Sequence, residues 1–134
     1  GERTPYSISI SELRQLAKDF ISNDENRADY PEKHAEDVVF EDGGTEHTLP
    51  SGRQQNITSK HVISLQTHRG TSYNTYFEVS NELYAAYDEL RDELARKEYG
   101  KPYNKLDEVQ QMLCRLYYKT MISEAEPRSI GGGL

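Results

Sequence analysis

Residues 61–94 constrain the fold more than any other stretch. They set a strand signal, a turn signal and one unbroken helix signal in direct succession. His61-Val62-Ile63-Ser64-Leu65-Gln66-Thr67 is a short run rich in β-branched and apolar residues, which suits a half-buried strand. His68-Arg69-Gly70-Thr71-Ser72 breaks it with a glycine and two residues fit to cap a helix. Tyr73, Tyr76, Leu83, Tyr87, Leu90 and Leu94 then recur in steps of three and four, with Ser80 filling the one gap, so they form a continuous seam. The helix starts near Thr71 or Ser72 and stops at Gly100, where Lys101-Pro102 supplies a C-terminal stop. About 27 residues at 1.5 Å each make a rod of roughly 40 Å, longer than a small domain covers. Its far half must project, pair with the next helix or pair with another chain.

A second helix precedes this unit. Ser9 and Glu12 stand three apart as a capping box, and Ile8 and Leu13 are spaced for the hydrophobic staple around it. Leu13, Leu16, Ala17, Phe20 and Ile21 make one apolar stripe. A helix this short is marginal in isolation, so it must dock on a sheet or on the long helix. From Ser22 to Lys60 the periodicity dissolves. Asn23-Asp24-Glu25-Asn26-Arg27 and Asp42-Gly43-Gly44-Thr45 are turn chemistry, and only Val38-Val39-Phe40 reads as a short edge strand. Residues 23–60 are therefore expected to form a long irregular excursion, partly disordered. After Gly100, Asn104 is expected to cap a third helix with Asp107 in its first turn and Leu106, Val109, Leu113 and Leu116 on its inner face. Folded back on the rod, it makes an antiparallel helical hairpin over 84–118. Lys119-Thr120-Met121-Ile122-Ser123 reads as a closing strand, and 131–134 as a flexible tail. The expected fold is α+β: one domain over 1–130, with a small mixed sheet, helices on one face and the hairpin protruding from it.

Composition narrows the function. A chain of 134 residues that is 34% hydrophobic and 29% charged builds one modest core. Its formal charge of −7 argues against nucleic acid and against an anionic membrane surface. No apolar run approaches a membrane span, and Gly1-Glu2-Arg3-Thr4-Pro5 does not read as a signal peptide. Cys114 is alone, so no internal disulfide or cysteine metal cluster is available, and it falls between Leu113 and Leu116 as a small core residue would. His61 and His68 are too far apart along a strand to share a metal, and His34 and His47 lie in the irregular region. No nucleophile elbow and no phosphate-cradling loop are present. Asn56-Ile57-Thr58 matches a glycosylation acceptor, a triplet frequent by chance. Glu82, Asp88, Glu89, Asp92 and Glu93 fall on the rod's polar face, where Asp92 with Arg96 and Glu93 with Lys97 are spaced to pair. The chain reads as a non-enzyme with no catalytic residue, metal ligand or cofactor site. Arg69-Gly70-Thr71 at a helix N-terminus can hold an anion or serve as an ordinary strand-to-helix turn. There are ten tyrosines and no tryptophan. Tyr73 and Tyr76 are expected to pack inward, while Tyr84 and Tyr87, with Leu90, Leu94 and Arg69, are the candidate partner interface.

These residues carry a resemblance. The run from Val62 to Val79, with its apolar strand, polar turn and tyrosine opening the helix, resembles the periplasmic domain of the ExbD/TolR biopolymer-transport family. Asn81-Glu82-Leu83, Ala85-Ala86-Tyr87, Glu89-Leu90-Arg91-Asp92-Glu93 and Ile122-Ser123-Glu124-Ala125-Glu126-Pro127 are similar to the longer ExbD-type proteins of Bacteroidetes. The resemblance runs from about Ser9 to Ile130, strongest after His61. It implies a periplasmic domain tethered to the inner membrane by an anchor outside this chain. Such a domain forms homodimers and works with an ExbB/TolQ-type membrane protein and a TonB/TolA-type protein to couple the proton gradient to transport. Some TolR-like domains bind peptidoglycan, so a stand-alone helical interaction or cell-wall-binding module is the alternative. The family's proton-carrying aspartate lies in a membrane helix, so no residue here inherits that role. Relative to the family the first strand is missing, which implies a sheet edge left exposed or swapped, and the 84–118 hairpin is an addition.

Overall fold

A computed structural model of the chain describes residues 9–66, Gly70 and residues 72–125. The expected α+β class holds. In chain order the elements are α1 (Ile10–Ser22), β1 (Lys33–Asp37), β2 (Val39–Asp42), β3 (Thr45–Thr48), β4 (Gln54–Thr58), β5 (Ile63–Gln66), α2 (Tyr73–Tyr99), α3 (Glu108–Tyr117) and β6 (Ile122–Ala125), with a 3-10 turn at Tyr103–Lys105.

Local chemistry sets the helix ends. Ser9 caps α1 through a hydrogen bond from the Glu12 N–H, and the Glu12 carboxylate accepts from the Ser9 N–H, which is the capping box read from the sequence. The proposed staple partner Ile8 lies outside the described residues. Ser72 caps α2, and Gly100 ends it in a left-handed conformation (φ +72°) that a β-carbon would strain. The rod is continuous through Ser80. The third helix departs from expectation: Asn104 sits in the 3-10 turn, and the cap is Asp107, reciprocated by Gln110. Asp107 wins because Gln110 stands three residues on and completes the box.

Residues 23–32 of the expected excursion are turn and loop, but from Lys33 it is largely strand. Residues 33–58 form a kinked antiparallel ribbon in which β1 pairs with β4 and β2 with β3. Gly43 and Gly44, both at positive φ, make the two-residue hairpin turn between β2 and β3. At the kink, Val38 donates its N–H to Arg53 O, and Leu49 bridges to Gly52. The ribbon escapes periodicity because its paired positions are mostly polar. Its buried apolar residues are Val38, Leu49 and Ile57, packed with Leu113 of α3 and, half-buried, Phe40, Tyr99 and Leu116, and Thr58 is buried beside them.

β5 pairs with β6 in parallel, Ile63 opposite Ile122 and Leu65 opposite Glu124. The strands are thus shared among three two-stranded ladders instead of one mixed sheet. The closing strand begins at Ile122, later than residues 119–121, which form its lead-in. Ala17 and Ile21 of α1, Leu65 of β5, and Leu83, Ala86, Tyr87 and Leu90 of α2 form the largest cluster. Burying each large aliphatic or aromatic member is worth about 1.5–3 kcal/mol. The far half of the rod is also covered, since Leu94 and Ala95 pack with Leu106 and Cys114. α1 is further tied to α2 by ions. The Arg14 guanidinium meets both Glu82 oxygens at 2.9 Å and Glu89 at 2.6 Å, while Lys18 reaches Glu89 at 3.1 Å and Glu93 at 2.6 Å. Of the expected pairs along the rod, Asp92 meets Arg96 at 2.8 Å, while Glu93 turns to Lys18 of α1.

Candidate docking surface

The candidate interface residues separate when placed in three dimensions. Tyr87 has no exposed surface, and Leu90 and Leu94 are 3% and 5% exposed. Their seam is used up inside the chain, against α1, α3 and the 118–121 connection, so these three are corrected from partner contacts to core. The Tyr87 hydroxyl accepts the Met121 N–H at 3.0 Å, its ring lies 5.9 Å from that of His61, and burial pushes its hydroxyl pKa up. Tyr84 is exposed, its hydroxyl 3.4 Å from Glu124 of β6. Arg69, with the anion-holding turn read around it, lies outside the described residues. Tyr76 is half-buried against the main cluster and donates its hydroxyl to Glu124, which raises its pKa. Tyr73, expected to pack inward, is 75% exposed and stacks on Phe77, ring centres 6.0 Å apart.

A surface that residue spacing did not single out lies on the other side of β5. Between α1 and β5 an apolar groove of about 390 Å³ is walled by Leu13, Leu16 and Phe20, with Val62 and Ile63 on the strand side and Leu83 beneath. Val62 and Leu16 are 52% and 40% exposed, whereas Leu13, Phe20 and Ile63 of the same walls are half-buried. The α1 stripe is five residues wide, more than one face of α2 can cover, and Leu16 marks the surplus. Beside the groove runs an open strand edge. Ile63 donates its N–H to Met121 O, toward β6. In a parallel ladder successive residues turn their main-chain groups to opposite sides, so Ser64 directs its N–H and C=O away from β6. No described strand pairs there.

Polar chemistry elsewhere is committed to structure. A cavity of about 200 Å³ between the ribbon and α3 is lined by Glu36, Asp37, His61, Tyr117 and Lys119, among others. His34 engages Glu36 at 2.7 Å, and Arg53 engages Asp37 at 3.1 Å. His61 has close partners at both ring nitrogens. Cys114 is fully buried, and burial pushes its thiol up to about 11, which keeps it protonated and unreactive. Among the described residues no group of three or more His, Cys, Asp or Glu is placed to hold a metal ion, and no helix is long and apolar enough to cross a membrane. No family model, curated protein or solved structure matches the chain.

Proposed function

We propose that this chain is the periplasmic part of a membrane-anchored, proton-motive-force-coupled transport protein of the ExbD/TolR type, working by docking and dimerisation. Its support is the resemblance over 62–79 and 81–93 together with one observation, the edge of β5 beside the α1 groove that no described strand pairs with. The occupant of that edge is β5 of a second copy. Antiparallel pairing about a two-fold axis gives an isologous interface, which requires one patch to supply both the projecting and the receiving surface. The patch has both: Val62 and Leu16 project, and the hollow lined by Leu13, Phe20 and Leu83 receives. Main-chain hydrogen bonds then give affinity, and the apolar contacts fix register. Exposed Tyr84, Tyr73 and Phe77 remain for an ExbB/TolQ-type or TonB/TolA-type partner.

The test is light scattering of the purified chain with and without Ser64→Pro. Ser64 is exposed and its N–H points away from β6, so proline removes an outward donor and spares the β5–β6 bonds. A wild-type dimer whose dissociation constant rises at least about tenfold in the variant, with unchanged circular dichroism, supports the reading. A dimer indifferent to Ser64→Pro, or a wild type monomeric at millimolar concentration, rejects it. The stacked, exposed Tyr73–Phe77 pair favours a second reading, binding to cell-wall glycan, against which the −7 charge weighs. Co-sedimentation with peptidoglycan that is lost in Phe77→Ala would move the reading there.

A further inference from the structure

His61 is 1% exposed and is gripped on both sides. Its Nε2 lies 2.7 Å from Lys119 O, and its Nδ1 lies 3.0 Å from both Thr58 O and Thr58 Oγ1. Thr58 Oγ1 in turn donates to Ile21 O at 2.5 Å. Both ring nitrogens face a carbonyl, which only accepts, but Nδ1 alone has a hydroxyl neighbour able to donate to it, so the neutral ring is best satisfied with its proton on Nε2 and the charged ring carries one on each nitrogen. The open question is Nδ1. When it is protonated, it donates to Thr58, and the Thr58 hydroxyl proton is free for Ile21 O. When it is bare, its lone pair meets the Thr58 carbonyl and can be satisfied only by that same hydroxyl proton, which must then leave Ile21. One hydroxyl proton serves two acceptors. Ile21 is in the last turn of α1, where carbonyls have no helical donor.

We propose that Thr58 and His61 form a proton-operated toggle, in which the charge of a buried imidazole decides whether the C-terminal turn of α1 keeps its side-chain hydrogen bond from β4. The Lys119 side of the ring is the fixed arm. The connection around Lys119 is also held by Arg91, which donates to Tyr118 O at 2.8 and 3.1 Å and to Thr120 Oγ1 at 2.8 Å, and by Met121 N–H on the Tyr87 hydroxyl. The movable arm is the Thr58 hydroxyl and the helix end it caps. Every charged or titratable group near the ring has another anchor or faces water. From α2, Tyr87 lies against it and Arg91 covers the Tyr87 ring at 5.4 Å. From β1, Glu36 and Asp37 line the adjoining cavity but are paired with His34 and Arg53. From α3 and its connection come Tyr117 and the exposed side chain of Lys119. The toggle works on α1, the wall of the groove, and holds whether or not that groove is a dimer interface.

The experiment is NMR on the 13C,15N-labelled chain, following the His61 ring nitrogens and the Ile21 carbonyl carbon across the pH range in which the protein stays folded. The expected result is a large shift at Nδ1, a small one at Nε2, and a shift of the Ile21 carbonyl with the same midpoint. In Thr58→Val the His61 transition persists and the Ile21 response is lost, while Thr58→Ser restores it. An Ile21 carbonyl that stays still while Nδ1 titrates in the wild type overturns the proposal. So does an Ile21 shift that survives in Thr58→Val, or a His61 ring that holds one charge state throughout. Should Thr58→Val fail to fold, the wild-type and Thr58→Ser titrations still decide it.

Discussion

The α1–α2–β5 body and the 33–58 ribbon are ordered by opposite means. The body buries a periodic stripe: Ala17, Ile21, Leu83, Tyr87 and Leu90 are all nearly inaccessible, and the helix caps at Ser9, Ser72 and Gly100 mark its ends. The ribbon buries three apolar side chains and the Thr58 hydroxyl from 26 positions, and relies on main-chain ladders and cross-strand pairs such as Arg53 with Asp37 and Glu46. Exposed ion pairs of this kind contribute little each, so the ribbon is held by its few apolar anchors on α3. Order in the body is spread over many contacts, and in the ribbon it hangs on three.

Three measurements sharpen that contrast. The largest effect belongs to Tyr87→Ala, which empties the centre of the body and leaves Met121 N–H without its acceptor. Urea unfolding should show a loss of about 3–5 kcal/mol. A variant of near-native stability would restore Tyr87 to the surface role its spacing suggests. In the ribbon, Leu49→Ala should cost about 2–5 kcal/mol. Thr45→Ala, an exposed site in the same hairpin, should stay within about 0.5 kcal/mol in the same assay. Comparable losses at both sites would show that the ladder, not the anchor, holds the ribbon. The smallest effect is electrostatic. Arg14 holds the carboxyls of Glu82 and Glu89 below the usual glutamate range. Carboxylates depressed in the folded state add stability above their unfolded value of about 4.3, and that stability fades as pH falls through the lower folded values. Thermal unfolding of wild type should therefore weaken on acidification below about pH 4. Arg14→Ala should lose part of that dependence; an unchanged acid limb would show that the pairs are too solvated to matter.

The same contrast explains what was legible in the residues. The body could be read because a helix face repeats, and a repeat announces burial without knowledge of the partner. The class, the rod from Tyr73 to Tyr99 and both of its caps came through for that reason. Which element covers the face was not legible, and so Tyr87, Leu90 and Leu94 read as an interface. The ribbon hid because His34, Glu36, Gln55 and Asn56 pair through their backbones and carry no alternation. One signal was present: Gly43-Gly44 between Val39-Phe40 and Leu49 is a hairpin turn in its own right. The docking edge and the environment of His61 were invisible in principle, since both depend on segments that are far apart in the chain.

The parallel pair of β5 and β6 has a consequence for biogenesis. α2 and α3 separate the two strands, and β6 is the last described strand to leave the ribosome. Throughout translation of those helices, β5 waits without its β6 partner, apolar Ile63 and Leu65 within it. A nascent strand in that condition is a template for wrong partners. Premature termination before Ile122 would therefore yield a sticky fragment instead of a smaller working domain.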